Sequence, residues 1–336
     1  MIAARQLRQA CRHLAHRLRP LHPLEAEVCL LNTCNLKCIY CRCPAVELPQ
    51  LSTSEWRAVI RRLASLGTLR LKFHGGEPTL RDDFVDLCAE SRACGLITAA
   101  VTNGSLIPRR PALLQELDEL VLSLDSPQQQ SNDRLRGAGS HRLALQTLDI
   151  ALGRSGLRVY INMVLTRHNL ADLEEMLLFC EGRGIGFNAQ PVVFGRGPYQ
   201  ELAPNGIALT GEEIREVHRR LASWKRQGRG LLFSVAAYEK AIAWPDLDQL
   251  TLPCEGISPC PAGRYYLRIE ANGDVVPCCQ YEASFKPMNI RRDGLDQALL
   301  HVRTHHCGDC WLAYYTERME VFALKPAALW NTVRRG

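Results

Sequence analysis

Short apolar runs that alternate with stretches of helical spacing limit this chain to a small set of architectures. The runs at 28–31, 69–73, 97–101, 120–124, 157–166 and 186–194 read as strands, each a brief apolar segment of strand length. Between them, 54–65, 82–93, 112–117, 141–152 and 169–183 carry apolar residues three and four apart, as in Val59, Leu63 and Leu66. That spacing gives a helix one buried face. Strands and helices in alternation build a parallel sheet with helices packed outside it. An eight-unit barrel takes about 250 residues. Only about 170 lie between the start of the first run and the Gly- and Pro-rich segment at 195–206, where the pattern changes.

The 336 residues are 46% hydrophobic and 23% charged, ample for a buried core and unlike a disordered chain. Lysine and arginine number 41 against 35 acidic residues, a net charge of +6. That excess is weak for a nucleic-acid binder, and no stripe interleaves basic with aromatic residues, so no nucleic-acid partner is expected. No run approaches the roughly 18 apolar residues that span a bilayer, and the N terminus lacks the features of a signal peptide. A cytoplasmic location is expected. The 15 cysteines stand out, because a chain of this size folds without disulfide staples. Spacing separates ligands from small core residues, and two groups emerge.

Cys34, Cys38 and Cys41 share one loop directly after the first apolar run. Three thiolates can hold three irons of a four-iron four-sulfur cluster and leave the fourth open to a small molecule. Zinc stays open on spacing alone, since Cys43 can complete a tetrahedron. The second strand ends in His74-Gly75-Gly76-Glu77-Pro78, the third in Thr102-Asn103-Gly104, and the fourth in Ser123-Leu124-Asp125. In α/β barrels the carboxyl ends of strands face the site, although Asn-Gly also makes turns and Ser or Asp also caps helices.

The Cys-x3-Cys-x2-Cys spacing, with Tyr40 just before the third cysteine, resembles the cluster loop of the radical S-adenosylmethionine enzymes, and the later pieces follow in that family's order. The resemblance implies an α/β fold with a partial (β/α)6 TIM-like barrel. Cys34, Cys38 and Cys41 would ligate a reducing cluster whose open iron is chelated by S-adenosylmethionine. Electron transfer would release a 5′-deoxyadenosyl radical that abstracts a substrate hydrogen atom, with a flavodoxin- or ferredoxin-type protein as donor. Phe73, Gly75, Gly76 and Glu77 are expected at the methionyl end, Glu77 accepting from its ammonium. Tyr40, Asn103, Ser123 and Asp125 are expected around the rest of the cofactor, and Arg136 can neutralise a carboxylate.

Further on, Cys260 and Cys278 are separated by 17 intervening residues, and Cys307-Gly308-Asp309-Cys310 follows after 28 more. The segment between the first two reads as a hairpin turning at Asn272-Gly273-Asp274, which brings its ends together. Taken alone, the paired spacing favours zinc. Behind a radical S-adenosylmethionine core it resembles the twitch extension, a shortened relative of the SPASM domain that holds one auxiliary four-iron four-sulfur cluster. Cys260, Cys278, Cys307 and Cys310 are the implied ligands, with Cys254 or Cys279 as possible replacements. If Cys278 ligates, Cys279 can face the substrate as a catalytic thiol that returns a hydrogen atom, or simply pack.

The expected organisation is a basic amphipathic N-terminal helix at 1–24, the barrel core at 25–200, a linker with helices at 201–253, the twitch/SPASM-like region at 254–316 and a tail at 317–336. The first 24 residues hold Arg5, Arg8, Arg12, Arg17 and Arg19 and no acid, so this helix can rest on an anionic membrane or a partner, or pack on the barrel. The first reading of the reaction is oxidation of a small molecule such as an aminocyclitol or sugar alcohol. The alternative is a ribosomal-peptide maturase forming thioether or carbon–carbon crosslinks. A reading of another class is a non-catalytic zinc-binding protein.

Overall fold

The computed structural model describes residues 23–41, 43, 47–193, 206–252, 260–281, 284–305 and 307–334. Six strands, β1 (Glu25–Cys29), β2 (Arg70–His74), β3 (Ile97–Thr102), β4 (Glu119–Ser123), β5 (Arg158–Leu165) and β6 (Gly186–Pro191), lie parallel in chain order. Helices α1 (Thr53–Ser65), α2 (Phe84–Ala93), α3 (Gln129–Arg136), α4 (Ser140–Leu152) and α5 (Leu173–Glu181) occupy the crossovers. Helix α1 starts at a capping box in which Ser52 and Glu55 satisfy each other's backbone amides, the arrangement that fixes a helix start. The stretch expected as a helix at 112–117 is only a short 3-10 turn, Pro111–Leu114.

The first strand begins earlier than its apolar run suggests, because it alternates. Ala26 and Val28 are buried in the core, while Glu25 and Glu27 line a cavity on the concave side of the sheet. The inside of the half-barrel is therefore polar, and the apolar core lies between sheet and helices.

Beyond β6 the chain forms α6 (Gly211–Arg226), α7 (Val235–Ile242), β7 (Thr251–Leu252), β8 (Tyr266–Ile269), β9 (Asp274–Val276), β10 (Met288–Asn289), α8 (Leu295–His301), β11 (Asp309–Cys310), α9 (Ala313–Phe322) and α10 (Pro326–Arg334). Strands β8 and β9 make the expected antiparallel hairpin, and Gly273 in its turn has φ of +91°, a conformation that favours glycine. Strand β8 also pairs parallel with β1, Glu25 opposite Tyr266 through Val28 opposite Ile269. The result is one nine-stranded sheet in the order β10-β9-β8-β1-β2-β3-β4-β5-β6, open at both ends among the described residues.

Helix α9 falls partly in what the sequence suggests is a tail. It sends Arg318 to Glu25 on β1 at 2.8 Å and Tyr314 to Glu27, so it lines the inside of the sheet. The N-terminal amphipathic stretch, Cys254 and most of the Gly- and Pro-rich segment lie outside the described residues. Among the described residues no helix is long and apolar enough to cross a membrane.

Ile269 is fully buried where β8 meets β1. Ile269→Ala is expected to destabilise by about 2–5 kcal/mol and to lower one shared melting transition, followed by circular dichroism. A separate transition for the C-terminal region would contradict the joint sheet.

Candidate active site

The loops after β1 and β2 are zipped together by backbone. Gly76 N–H donates to Leu31 O at 2.7 Å and Glu77 N–H to Thr33 O at 3.0 Å. A Cβ on Gly76 would sit 2.1 Å from Thr33 O, and Gly75 adopts φ of +142°, so both positions require glycine. This contact lays the His74 to Glu77 segment directly against the loop carrying Cys34, Cys38 and Cys41.

Glu77 then ties in the third strand. Its Oε1 accepts from the Thr79 hydroxyl at 2.6 Å and the Thr102 hydroxyl at 2.7 Å, and Oε2 accepts from Asn103 N–H at 2.8 Å. Burial pushes its carboxyl pKa up, and these hydrogen bonds offset part of the rise. The carboxylate expected to meet an ammonium is thus already engaged by protein donors. Asn103 reaches back to the cysteine loop, its Nδ2 donating to Asn35 Oδ1 at 3.0 Å and approaching Cys34 Sγ at 3.8 Å.

Tyr40, Asp125 and Arg136 form a hydrogen-bonded trio in which Asp125 and Arg136 are buried and Tyr40 is half-buried. Tyr40 donates to Asp125 Oδ2 at 2.5 Å, while Arg136 Nη1 donates to the Tyr40 hydroxyl at 2.6 Å and to Asp125 at 3.1 Å. Asp125 Oδ1 also accepts from Val164 N–H at 2.9 Å. Ile39 N–H donates to Leu135 O at 2.9 Å, so α3 holds the cysteine loop from the other side.

A cavity of about 560 Å³ opens beneath these loops. Cys34, Cys38, Cys41, Gly75, Gly76 and Asn103 line its upper end, with Tyr40, Ser123 and Arg136 beside them. Phe73 is absent from this lining: fully buried, it packs edge-on to Phe84 with ring centroids 6.1 Å apart. Burial raises the thiol pKa of Cys34 and takes that of Cys38 up to about 11. Proton release therefore accompanies any metal loading.

In the second set, Cys260, Cys307 and Cys310 are buried, and the thiols of Cys260 and Cys307 are hydrogen-bonded to one another. That bond makes Cys260 easier to deprotonate and Cys307 harder. Cys278 lies close enough to Cys260 and Cys310 to feel their charge, so the hairpin and the Cys307 to Cys310 turn do converge. Among the described residues no three His, Cys, Asp or Glu groups meet at single-ion distances. Cys279 turns into the cavity, its Sγ 2.8 Å from the Tyr315 hydroxyl.

Reading the sequence alone does not single out Arg268, Tyr314, Tyr315, Asn162, Asn188 or Gln190, all of which line the cavity. A period-two signal was available for three of them. Polar residues fall at alternate positions of two strands whose other face is apolar, Asn162 following Arg158 and Tyr160 in β5, and Asn188 and Gln190 in β6.

A model of the radical SAM superfamily matches residues 28–180, and the model of an iron–sulfur cluster-binding domain, SPASM, matches 260–311. PqqA peptide cyclase of Gluconobacter oxydans (strain 621H) is 33% identical over 273 residues, 77% of this chain and 71% of that protein. Mycofactocin maturase MftC of Mycobacterium ulcerans (strain Agy99) is 28% identical over 272 residues, 76% and 69% of the two chains. Streptococcus suis SuiB bound to precursor peptide SuiA shares the fold, with a TM-score of 0.63 at 20% identity over 87% of this chain and 69% of that one.

The chain belongs to the radical S-adenosylmethionine superfamily, among the enzymes that carry a SPASM iron–sulfur domain. Four-iron four-sulfur clusters and S-adenosylmethionine are accordingly its cofactors, and the reading as a non-catalytic zinc protein is set aside. The donor sets fit these groups: three thiols on one loop beside a glycine pair, and four thiols gathered by a hairpin and a turn.

Gly76→Ala is expected to force the two loops apart and to lower iron and S-adenosylmethionine retention several-fold, measured by metal analysis and equilibrium dialysis. Phe73→Ala should instead act on stability, lowering it by about 3–5 kcal/mol. His74 supplies a pH test. Burial, reinforced by nearby Arg268, pulls its pKa from 6.5 down to about 3. The unfolded chain takes up this proton first, so stability present above pH 6.5 is lost as pH falls toward 3. His74→Gln should flatten that acid limb by up to about 1.4 kcal/mol per pH unit, read from urea titrations.

Proposed function

We propose that this enzyme matures a ribosomally made peptide, forming a thioether or carbon–carbon crosslink. The observation that carries this reading is the 33% identity to a peptide cyclase over 77% of the chain. A second named relative is a maturase, and SuiB, which shares the fold, is seen with a precursor peptide. These neighbours favour the peptide over the aminocyclitol or sugar alcohol that stands first on sequence grounds alone.

In this reading Cys34, Cys38 and Cys41 hold the reducing cluster, and Cys260, Cys278, Cys307 and Cys310 hold the auxiliary one. When bound, the cluster and S-adenosylmethionine would supply the radical chemistry that abstracts a hydrogen atom from the substrate. Gly75 and Gly76 let backbone approach the cofactor closely. Asn103 and Ser123 offer hydrogen bonds from the ends of β3 and β4, while the hydrogen-bonded Tyr40–Asp125–Arg136 trio fixes the cysteine loop against α3. Arg136 keeps a face on the cavity and can meet a carboxylate there. Cys279, held by Tyr315 at the cavity wall, faces the substrate rather than the metal, where its thiol can relay the proton released as the crosslink closes; a hydrogen atom returned to the substrate would cancel the two-hydrogen loss.

Replacing Cys34, Cys38 and Cys41 together by Ala should abolish 5′-deoxyadenosine release from reconstituted protein given dithionite and S-adenosylmethionine, while iron at the second site remains. Incubating the wild type with candidate precursor peptides should yield a product lacking two hydrogen atoms, seen by mass spectrometry. Nucleoside release without any peptide mass change across such candidates would count against the peptide reading. Cys279→Ala should keep full iron and lose product, whereas Cys278→Ala should lose iron. Unchanged product from Cys279→Ala removes the thiol from the mechanism.

A further inference from the structure

The cavity has two unlike walls. On the side of β1, β2, β8 and α9 the charges close on one another: Lys72 Nζ bonds Glu27 at 3.1 Å, Arg318 bonds Glu25 at 2.8 Å, and Arg268 bonds both oxygens of Glu270 at 2.6 and 3.0 Å. The wall formed by β5 and β6 carries one charge near its lower end, Arg158, which bonds Glu119 at 2.6 Å, and beyond it presents carboxamides. Asn162 and Asn188 face each other in register across the two strands, and Gln190 follows two residues on toward the cysteine loop.

The carboxamides are not self-sufficient. Asn188 Nδ2 donates to Asn162 Oδ1 at 2.6 Å, but Asn188 Oδ1 is buried without a partner in a residue only 6% exposed. Whichever way the two amides are turned, one heteroatom of Asn188 is left over. Buried polar atoms are almost always satisfied, and an exception calls for a missing partner. Asparagine is also a poor strand former, so packing alone does not account for its presence here.

We propose that Asn162, Asn188 and Gln190 form the subsite that grips a main-chain amide of the peptide substrate. The inference rests on the peptide reading above and adds where the peptide is held and by what. A carboxamide carries a donor and an acceptor side by side, which matches the N–H and C=O of a peptide group. The opposite wall is already charge-paired, so a charged substrate side chain would be desolvated without gaining a partner. The segment seated against the carboxamides is therefore read through its backbone and carries a neutral side chain.

The test uses reconstituted holoenzyme with S-adenosylmethionine and two probes, N-acetylalanine N-methylamide and N-acetylalanine methyl ester, titrated by saturation-transfer NMR. The ester lacks the second amide N–H. The wild type is expected to bind the methylamide roughly five- to tenfold more tightly, the worth of about one hydrogen bond. Asn188→Leu, which keeps the branched shape but removes the carboxamide, should remove that preference, and Asn162→Leu should do the same. S-adenosylmethionine retention in equilibrium dialysis should stay unchanged in both variants.

Full discrimination in Asn188→Leu overturns the proposal, as does equal binding of the two probes by the wild type. Loss of S-adenosylmethionine in place of probe discrimination also overturns it and assigns the amides to the nucleoside. A wild type that crosslinks a precursor yet treats the probes alike sinks the subsite alone. Failure of the peptide reading shows instead as an unaltered precursor mass.

Discussion

The upper end of the sheet depends on two backbone hydrogen bonds, Gly76 N–H to Leu31 O and Glu77 N–H to Thr33 O. They join the loops after β1 and β2, and only a residue without a side chain at position 76 allows the approach. From there the contacts run in a closed circuit. Glu77 holds Asn103 on the loop after β3, and Asn103 returns to Asn35 and Cys34. Each loop is braced by the next, so the thiols and the glycine pair are presented by a fixed frame rather than by three independent turns. Sites held this way need little reorganisation when a ligand arrives.

The alternation of strands and helices through β6 was legible because the outward face of each strand is apolar and each helix buries one stripe. Legibility stopped where the inward face took over. Strand β1 reads as starting at Val28, yet it begins at Glu25, because its acids point into the polar interior and weaken the apolar signal. Helix α9 looks like a tail for the same reason: Tyr314, Glu317 and Arg318 face the cavity. The pairing of β8 with β1 has no local signature, since residues some 240 positions apart meet there.

Among the site residues, spacing carried the cysteines and the glycine pair into view, and the structure places all three loop cysteines, Gly75, Gly76 and Asn103 on one cavity. Individual roles were less readable. Glu77, Asp125 and Arg136 resemble ligand contacts in sequence, but their charges are spent largely on protein partners. Sequence shows that a carboxylate or guanidinium is present near a site; it does not show which neighbour reaches it first. Phe73 is the plainest case, as strand alternation turns it outward while Lys72 and His74 turn in.

The β1–β8 pairing also sets the order in which the molecule can be completed during synthesis. Strand β1 emerges from the ribosome before the other strands of its sheet, and its partner on one side, β2, follows within some 50 residues. Its other edge stays bare until Ile269 has been made. At the ordinary pace of elongation that is a wait of about 10 to 50 seconds, during which an unpaired edge invites association with other chains. The loop holding Cys34 hangs from the end of that strand. Nascent chains are thus expected to depend on protection early, and to reach a rigid first cysteine loop only after the second cysteine region has begun to fold beside it.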